Sequence, residues 1–219
     1  MKRSSPYSIV IHSLVCVFLL TLILPGRGQQ PPPQGAFRFA NACSIPGKTL
    51  VTIDTGKLRP DGFGPGENTG MIGILSGAHH FTVVHPTAGK GEANFMVQPN
   101  SFTTVVAFPK PAIDPTTKKT VQTLQVLARP DPPREKGKHF QILSVSNRPT
   151  VDLSINGQSV SLPSLRELKA DEFVKGALKI ECTGKPVVDF AAEESGSFLV
   201  ILFDRPDGTL GGMVMPDYG

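Results

Sequence analysis

Over residues 151–156 apolar and polar positions alternate one for one: Val151, Leu153 and Ile155 against Asp152, Ser154 and Asn156. Successive side chains on a strand point to opposite faces, so this run predicts a strand with one face inward and one toward water. Asn156-Gly157 follows, two residues that tolerate positive φ, and predicts a tight hairpin. Similar short runs, rich in Val, Thr and Phe and bounded by Gly and Pro, recur from Phe37 onward. They predict antiparallel β-sandwiches rather than a helical or α/β chain. One segment reads differently. Ser164-Leu165-Arg166-Glu167 has the spacing of a capping box and predicts the start of a short helical turn.

The runs come in a repeated order. FRFANA (37–42) corresponds to FQILSV (140–145), LVTIDTG (50–56) to VDLSING (151–157), and GAHHFTV (77–83) to GALKIEC (176–182). ANFMV (93–97) corresponds to VDFAA (188–192), SFTTVVAF (101–108) to SFLVILF (197–203), and VQTLQVLA (121–128) to TLGGMVM (209–215). Six collinear matches point to an internal duplication. The expected fold is all-β: two tandem Ig-like or jelly-roll-like antiparallel sandwiches, one over 37–128 and one over 139–219. The proline-rich, charged stretch 129–138 is the linker expected between them.

The N-terminus carries another pattern. Lys2 and Arg3 precede an apolar run, Ile9–Leu24, which Pro25 ends and Gly26-Arg27-Gly28 follows. That is the layout of a secretory signal over 1–28, with cleavage near Gly28/Gln29 and a short extended tether over 29–36. The apolar run is shorter than the ~20 residues of a spanning helix. The chain is therefore expected in the periplasm or outside the cell, and at a membrane only if the signal is retained. Without Lys2, Arg3 and Arg27 the formal net charge falls from +4 to +1. A near-neutral body with scattered cations gives no electrostatic case for nucleic acid. Cys43 and Cys182 stand outside the signal, far apart and without a C-x-x-C pair, so neither a disulfide framework nor a zinc site is expected. Their strand parity makes both buried thiols of two separate cores.

Three histidines crowd SGAHHFTVVHP (76–86). On a regular strand His79, Phe81, Val83 and His85 share one face, and His80, Thr82 and Val84 the other. The match to GALKIEC places His80 on the water face and His79 at the core margin. His79 and His85 lie about 20 Å apart at ~3.3 Å per residue, so no pair of these rings can meet one zinc ion. No metal, cofactor or catalytic residue is assigned. A hydrolase built on His80 and an acid such as Asp54 is the enzymatic alternative, and no G-x-S-x-G elbow accompanies it.

RPDGFGPGENTG (59–70) is the most unusual loop. It lacks the Lys and following helix of a phosphate loop and the dense acids of a calcium loop. Its functional reading is a contact loop carrying Asp61, Phe63 and Glu67, with Phe63 as apolar anchor and His80 as a further surface residue. Glycan platforms favour Trp and Tyr. The chain has no Trp, and its two tyrosines are Tyr7 and Tyr218.

With two sandwich halves, each opened near a short motif (Arg38, Asn41, Ala42 and Cys43 in the first), the chain resembles the AlgF family of periplasmic accessory proteins for alginate O-acetylation. It is also similar to secreted bacterial tandem domains of unknown function that open with Arg-x-x-His/Asn-Ala-Ser. Cys43 replaces the Ser, and in the second half Gln141 and Ser144 replace the Arg and Asn. The resemblance implies a non-catalytic adaptor that touches protein partners of a polysaccharide-modifying system in the cell envelope. Polysaccharide is the second partner class, and a surface adhesion or glycan-binding module the alternative function.

Overall fold

The computed structural model describes residues 32–132, 137–173, 176–191 and 196–217. The expected signal and the first part of the tether lie outside them.

Alternation makes the strands. In β5 (Gly77–His85) Phe81, Val83 and His85 are buried while Ala78 and Val84 are exposed. In β10 (Thr150–Ile155) Val151, Leu153 and Ile155 are buried between polar neighbours. Six further strands complete the first half: β1 (Gln34–Asn41), β2 (Leu50–Ile53), β3 (Gly56–Lys57), β4 (Ile72–Leu75), β6 (Gly89–Val97) and β7 (Phe102–Ile113), with β8 (Thr120–Pro130) closing it. The second half holds β9 (Lys138–Ser144), β11 (Gln158–Pro163), β12 (Glu167–Lys169), β13 (Leu178–Cys182), β14 (Lys185–Phe190), β15 (Gly196–Asp204) and β16 (Leu210–Asp217) beside β10.

The two halves are built alike. The first has sheets ordered β4-β1-β7-β8 and β3-β2-β5-β6; the second has β12-β9-β15-β16 and β11-β10-β13-β14. Each strand of the first half thus has a counterpart eight strands later, and the tandem all-β sandwich expected from the sequence is what the structure shows. Not every pairing is antiparallel, however. β1 runs parallel to β7, and β9 parallel to β15.

Each half encloses its own core. Phe37, Phe39, Phe63, Phe81 and Val105 centre the first; Phe140, Ile142, Leu153, Ile180 and Val200 centre the second. A third core lies between the halves: Ala40, Ala42, Val106 and Phe108 from β1, β7 and the turn after β1 pack with Leu143, Val145, Ile201, Phe203 and Met213. The inner strands of these two sheets, β1 with β7 and β9 with β15, are therefore buried on both faces. Hence β7 and β15 each hold an unbroken run of buried positions, Thr103–Pro109 and Leu199–Phe203.

Several sequence matches need correction. The hairpin residues Ile53 and Gly56 face each other around Asp54-Thr55, as Ile155 and Gln158 do around Asn156-Gly157. Ile53 thus corresponds to Ile155, one position from the sequence match. Likewise Val105 and Ala107 share their role with Val200 and Leu202, so SFTTVVAF and SFLVILF are matched one residue out. Both slips would have turned core positions to the wrong face. The β8–β16 match is two residues out, which preserves parity: Leu127 pairs with Val106 as Met213 pairs with Ile201. The helical turn expected at Ser164–Glu167 is not formed. Leu165 has a φ of 60°, its N–H donates to the Ser144 carbonyl, and Glu167 enters β12. The only helical element among the described residues is a short 3-10 turn, Asp171–Phe173.

Candidate functional site

Asp54 organises the end of the sheet that carries the histidines. It takes a positive φ of 52° in the β2–β3 turn, which brings its carboxylate back over β5. Its Oδ1 accepts the His80 backbone N–H at 2.9 Å and its Oδ2 meets His79 Nδ1 at 2.8 Å. Asn156 repeats the first contact in the second half, accepting the Lys179 N–H at 2.8 Å. The His79 ring goes further and donates from Nε2 to the Leu75 carbonyl at 2.8 Å. Leu75 belongs to the opposite sheet, so His79 ties the two sheets together. Both ring partners are acceptors, a geometry that only the doubly protonated ring satisfies. Burial works against that charge, yet the bonds to Asp54 and Leu75 outweigh it and raise the His79 pKa.

His80 is 44 % exposed on the outer face. Its Nδ1 meets Asn94 Oδ1 at 2.7 Å; its Nε2 lies 3.1 Å from Thr82 Oγ1 and 3.3 Å from Glu92 Oε1. The bond to Asn94 and the Glu92 carboxylate raise its pKa against desolvation, and Lys90 pairs with Glu92 beside it. The His80–Asp54 ring pairing imagined for a hydrolase is not made, because the carboxylate is engaged by His79 and by backbone. His85 lies apart, 1 % exposed, with Nδ1 accepting the Thr87 and Ala88 N–H groups. Burial lowers its pKa. Among the described residues no three His, Cys, Asp or Glu side chains gather as a metal cluster would need.

The 59–70 loop is used differently from the sequence reading. Phe63 is 1 % exposed and sits in the first core, its ring 5.1 Å from Phe39. It is no exposed anchor: backbone bonds to Thr49 in both directions draw it inward, and the Asn41 side-chain amide donates to the Phe63 and Gly64 carbonyls. Arg59 lies over its ring at 4.3 Å and pairs with Glu67 at 2.6 Å. Asp61 is exposed. The structure therefore separates the expected trio into one core side chain and two surface carboxylates.

Sequence reasoning missed the most heavily buried charges. Arg38 and Asp131 have side chains 2 % and 1 % exposed and meet at 3.2 Å. Arg38 also donates to Thr104 Oγ1 and to the Pro216 carbonyl of the other half, both at 2.8 Å. Asp131 accepts from Arg129 at 2.9 Å and from Thr104 at 2.7 Å. Arg129 then reaches across to Glu167, at 2.5 and 2.9 Å, and to Gln141. Burial disfavours the Arg129 charge, but Glu167 and Asp131 more than restore it. Among the described residues two arginines and two carboxylates thus join in a network across the halves. Gln141 occupies the position that Arg38 holds in the first half, and there it supplies Arg129 with an acceptor instead of a third positive charge. The available signal was Arg129-Pro130-Asp131, two opposite charges inside a stretch read as linker.

Cys43 and Cys182 are both free and buried, in different cores. Burial raises the Cys43 pKa. The chain matches no family model and no curated protein sequence.

Proposed function

We propose that the protein is an exported, non-catalytic adaptor that works through protein–protein contacts in the cell envelope. The observation that supports this reading most is the β7–β8 arm. Beyond Lys110 both strands leave the sheet and pair only with each other, from Pro111↔Gln122 to Ile113↔Thr120. A two-stranded ribbon is marginal alone, and this one carries Ile113 at 70 % exposure, the most exposed large apolar side chain among the described residues. Val121 is exposed on it too, and Lys118 and Lys119 flank the turn. An apolar tip projecting from a double sandwich is a fitting contact for a partner protein. A role accessory to alginate-type O-acetylation rests on the family resemblance.

The test is a cross-linking pull-down of tagged protein from its native envelope, read by mass spectrometry, with Ile113→Asp as comparison. The expected result is an enriched protein set, including an acyltransferase or polysaccharide-export component, that the variant loses. Recovery of glycan without protein would overturn the adaptor reading in favour of surface glycan binding.

A further inference from the structure

Three turns meet at one end of the second half: the β9–β10 connection with Arg148, the β13–β14 hairpin with Thr183, and the β15–β16 hairpin from Arg205 to Thr209. Together they line a groove of about 440 Å³, within the range of small-ligand sites. Three cations border it, Arg148, Lys185 and Arg205.

The cations are placed differently. Arg148 is fixed: its guanidinium donates to the Gly208 carbonyl at 2.8 Å, lies 3.8 Å from Cys182 Sγ, and stands 3.5 Å from Asp204. Asp204 already accepts from Ser146 Oγ at 2.8 Å and from the Asn147 N–H at 2.7 Å, so it offsets Arg148 only in part. Lys185 pairs across the hairpin with Cys182. Directly opposed residues share a face, so Lys185 overhangs the open end of the core that Cys182 floors. The Arg205 side chain folds against Gly211. Among the described residues no carboxylate lies within ion-pair distance of Lys185 or Arg205, although Arg205 is near enough to Asp207 to help lower its pKa, after the Thr209 hydrogen bonds. The one carboxylate in the lining, Asp207, is engaged in its own turn, where Oδ1 accepts from Thr209 N at 2.9 Å and Oγ1 at 2.6 Å.

The duplication is broken at this place. In the first half the counterpart of the β15–β16 hairpin is the long β7–β8 arm, and Val83 stands where Cys182 stands. The hairpin and the cysteine that border the groove therefore have no like-built counterparts in the first half.

We propose that this groove binds an oxyanion, a carboxylate or phosphate group borne by a ligand whose remaining atoms lie along Thr183 and Thr209. Three cations against one lining carboxylate that is already engaged in its own turn, with one of the cations a planar fork held in place, is the arrangement that recognises such groups. The site is separate from the β7–β8 arm and does not depend on the adaptor reading.

The test uses the intact protein at constant ionic strength, set with sodium chloride. Amide shifts of Thr183, Gly184, Gly208 and Thr209 are followed by NMR during titration with inorganic phosphate, with glucuronate and with glucose. Saturable shifts are expected with one or both anions and none with glucose. Stronger binding of glucuronate assigns a carboxylate ligand, and stronger binding of phosphate a phosphorylated one. Lys185→Gln and Arg205→Gln should each weaken binding about tenfold or more, and Lys185→Gln should do so with the melting temperature unchanged, because the Lys185 side chain is exposed. Shifts that stay linear, or that persist in the double variant, would overturn the proposal.

Discussion

His79 holds its ring between a carboxylate and a carbonyl, and both want a proton from it. Its folded-state pKa is raised above the ordinary value of 6.5. The stability this clasp contributes is therefore complete below the unfolded-state pKa and is lost as pH rises through the folded-state one. His85 acts in the opposite sense. Burial lowers its pKa, so its contribution is complete above the unfolded value and is lost as pH falls toward the folded one. The net pH profile mixes the two, and a variant isolates the first. In urea unfolding, wild type should exceed His79→Gln in stability by more at about pH 5.5 than at about pH 8.5. An equal difference at both values would remove the charged clasp. At this scale the sequence was informative where parity decided the outcome: the alternation in 77–85 separates His80 from its neighbours. Asp54 was legible only as an acid near in sequence, because its partner depends on the turn bending back over β5. Phe63 misled for a related reason. Glycines on both sides imply an open loop, and only Asn41 and Thr49, distant along the chain, pull it inward.

Strands were easier to read than their registers. Ile53 and Ile155 occupy equal places, yet Thr55 in one turn and Gly157 in the other shifted the apparent match by one residue. Ser164–Glu167 shows the converse failure, a local helix signal overridden when β12 pairs with β9 and the Leu165 N–H is taken by Ser144. The corners where the sheets meet depend on features no alternation reveals. In the first half Gly91 on β6 lies against Leu124 of β8, with its absent Cβ only 2.8 Å from the Leu124 carbonyl. In the second half the glycine changes sides. A Cβ on Gly212 of β16 would stand 2.3 Å from Val188 Cγ2 and 3.3 Å from Val187 Cγ1. Because valine is stiff at χ1, there is little room to yield. Gly212→Ala is expected to lower unfolding free energy by about 1–3 kcal/mol, measurable as a lower urea midpoint at constant slope. No change in midpoint would mean that β14 and β16 can separate freely.

Across the whole molecule, the third core and the Arg38–Asp131–Arg129–Glu167 network join the halves by both apolar and charged contacts. Removing a carboxylate shared by two buried arginines takes a counter-charge from both, which costs up to about 3–5 kcal/mol. Asp131→Ala should show that loss in equilibrium unfolding, since Arg38 and Arg129 would stay buried without their shared carboxylate. A loss under about 1 kcal/mol would mean that water reaches the network. Wild type should unfold in one transition, with probes in either half giving the same midpoint. The tandem organisation was visible in the six collinear matches. The third core was not, because Ala40, Ala42, Val106 and Phe108 carry no mark that distinguishes a face packed on another sheet from one packed on another half.

That shared face has the logic of a dimer interface. Both halves contribute equivalent strands to it, β1 with β7 and β9 with β15, as the partners of a two-fold dimer do. A single eight-stranded ancestor bearing this apolar face would have needed a second copy of itself to cover it. Within one chain the two faces are permanent neighbours, and the halves are free to differ elsewhere: Gln141 stands where Arg38 stands, and one half carries a groove where the other carries an arm.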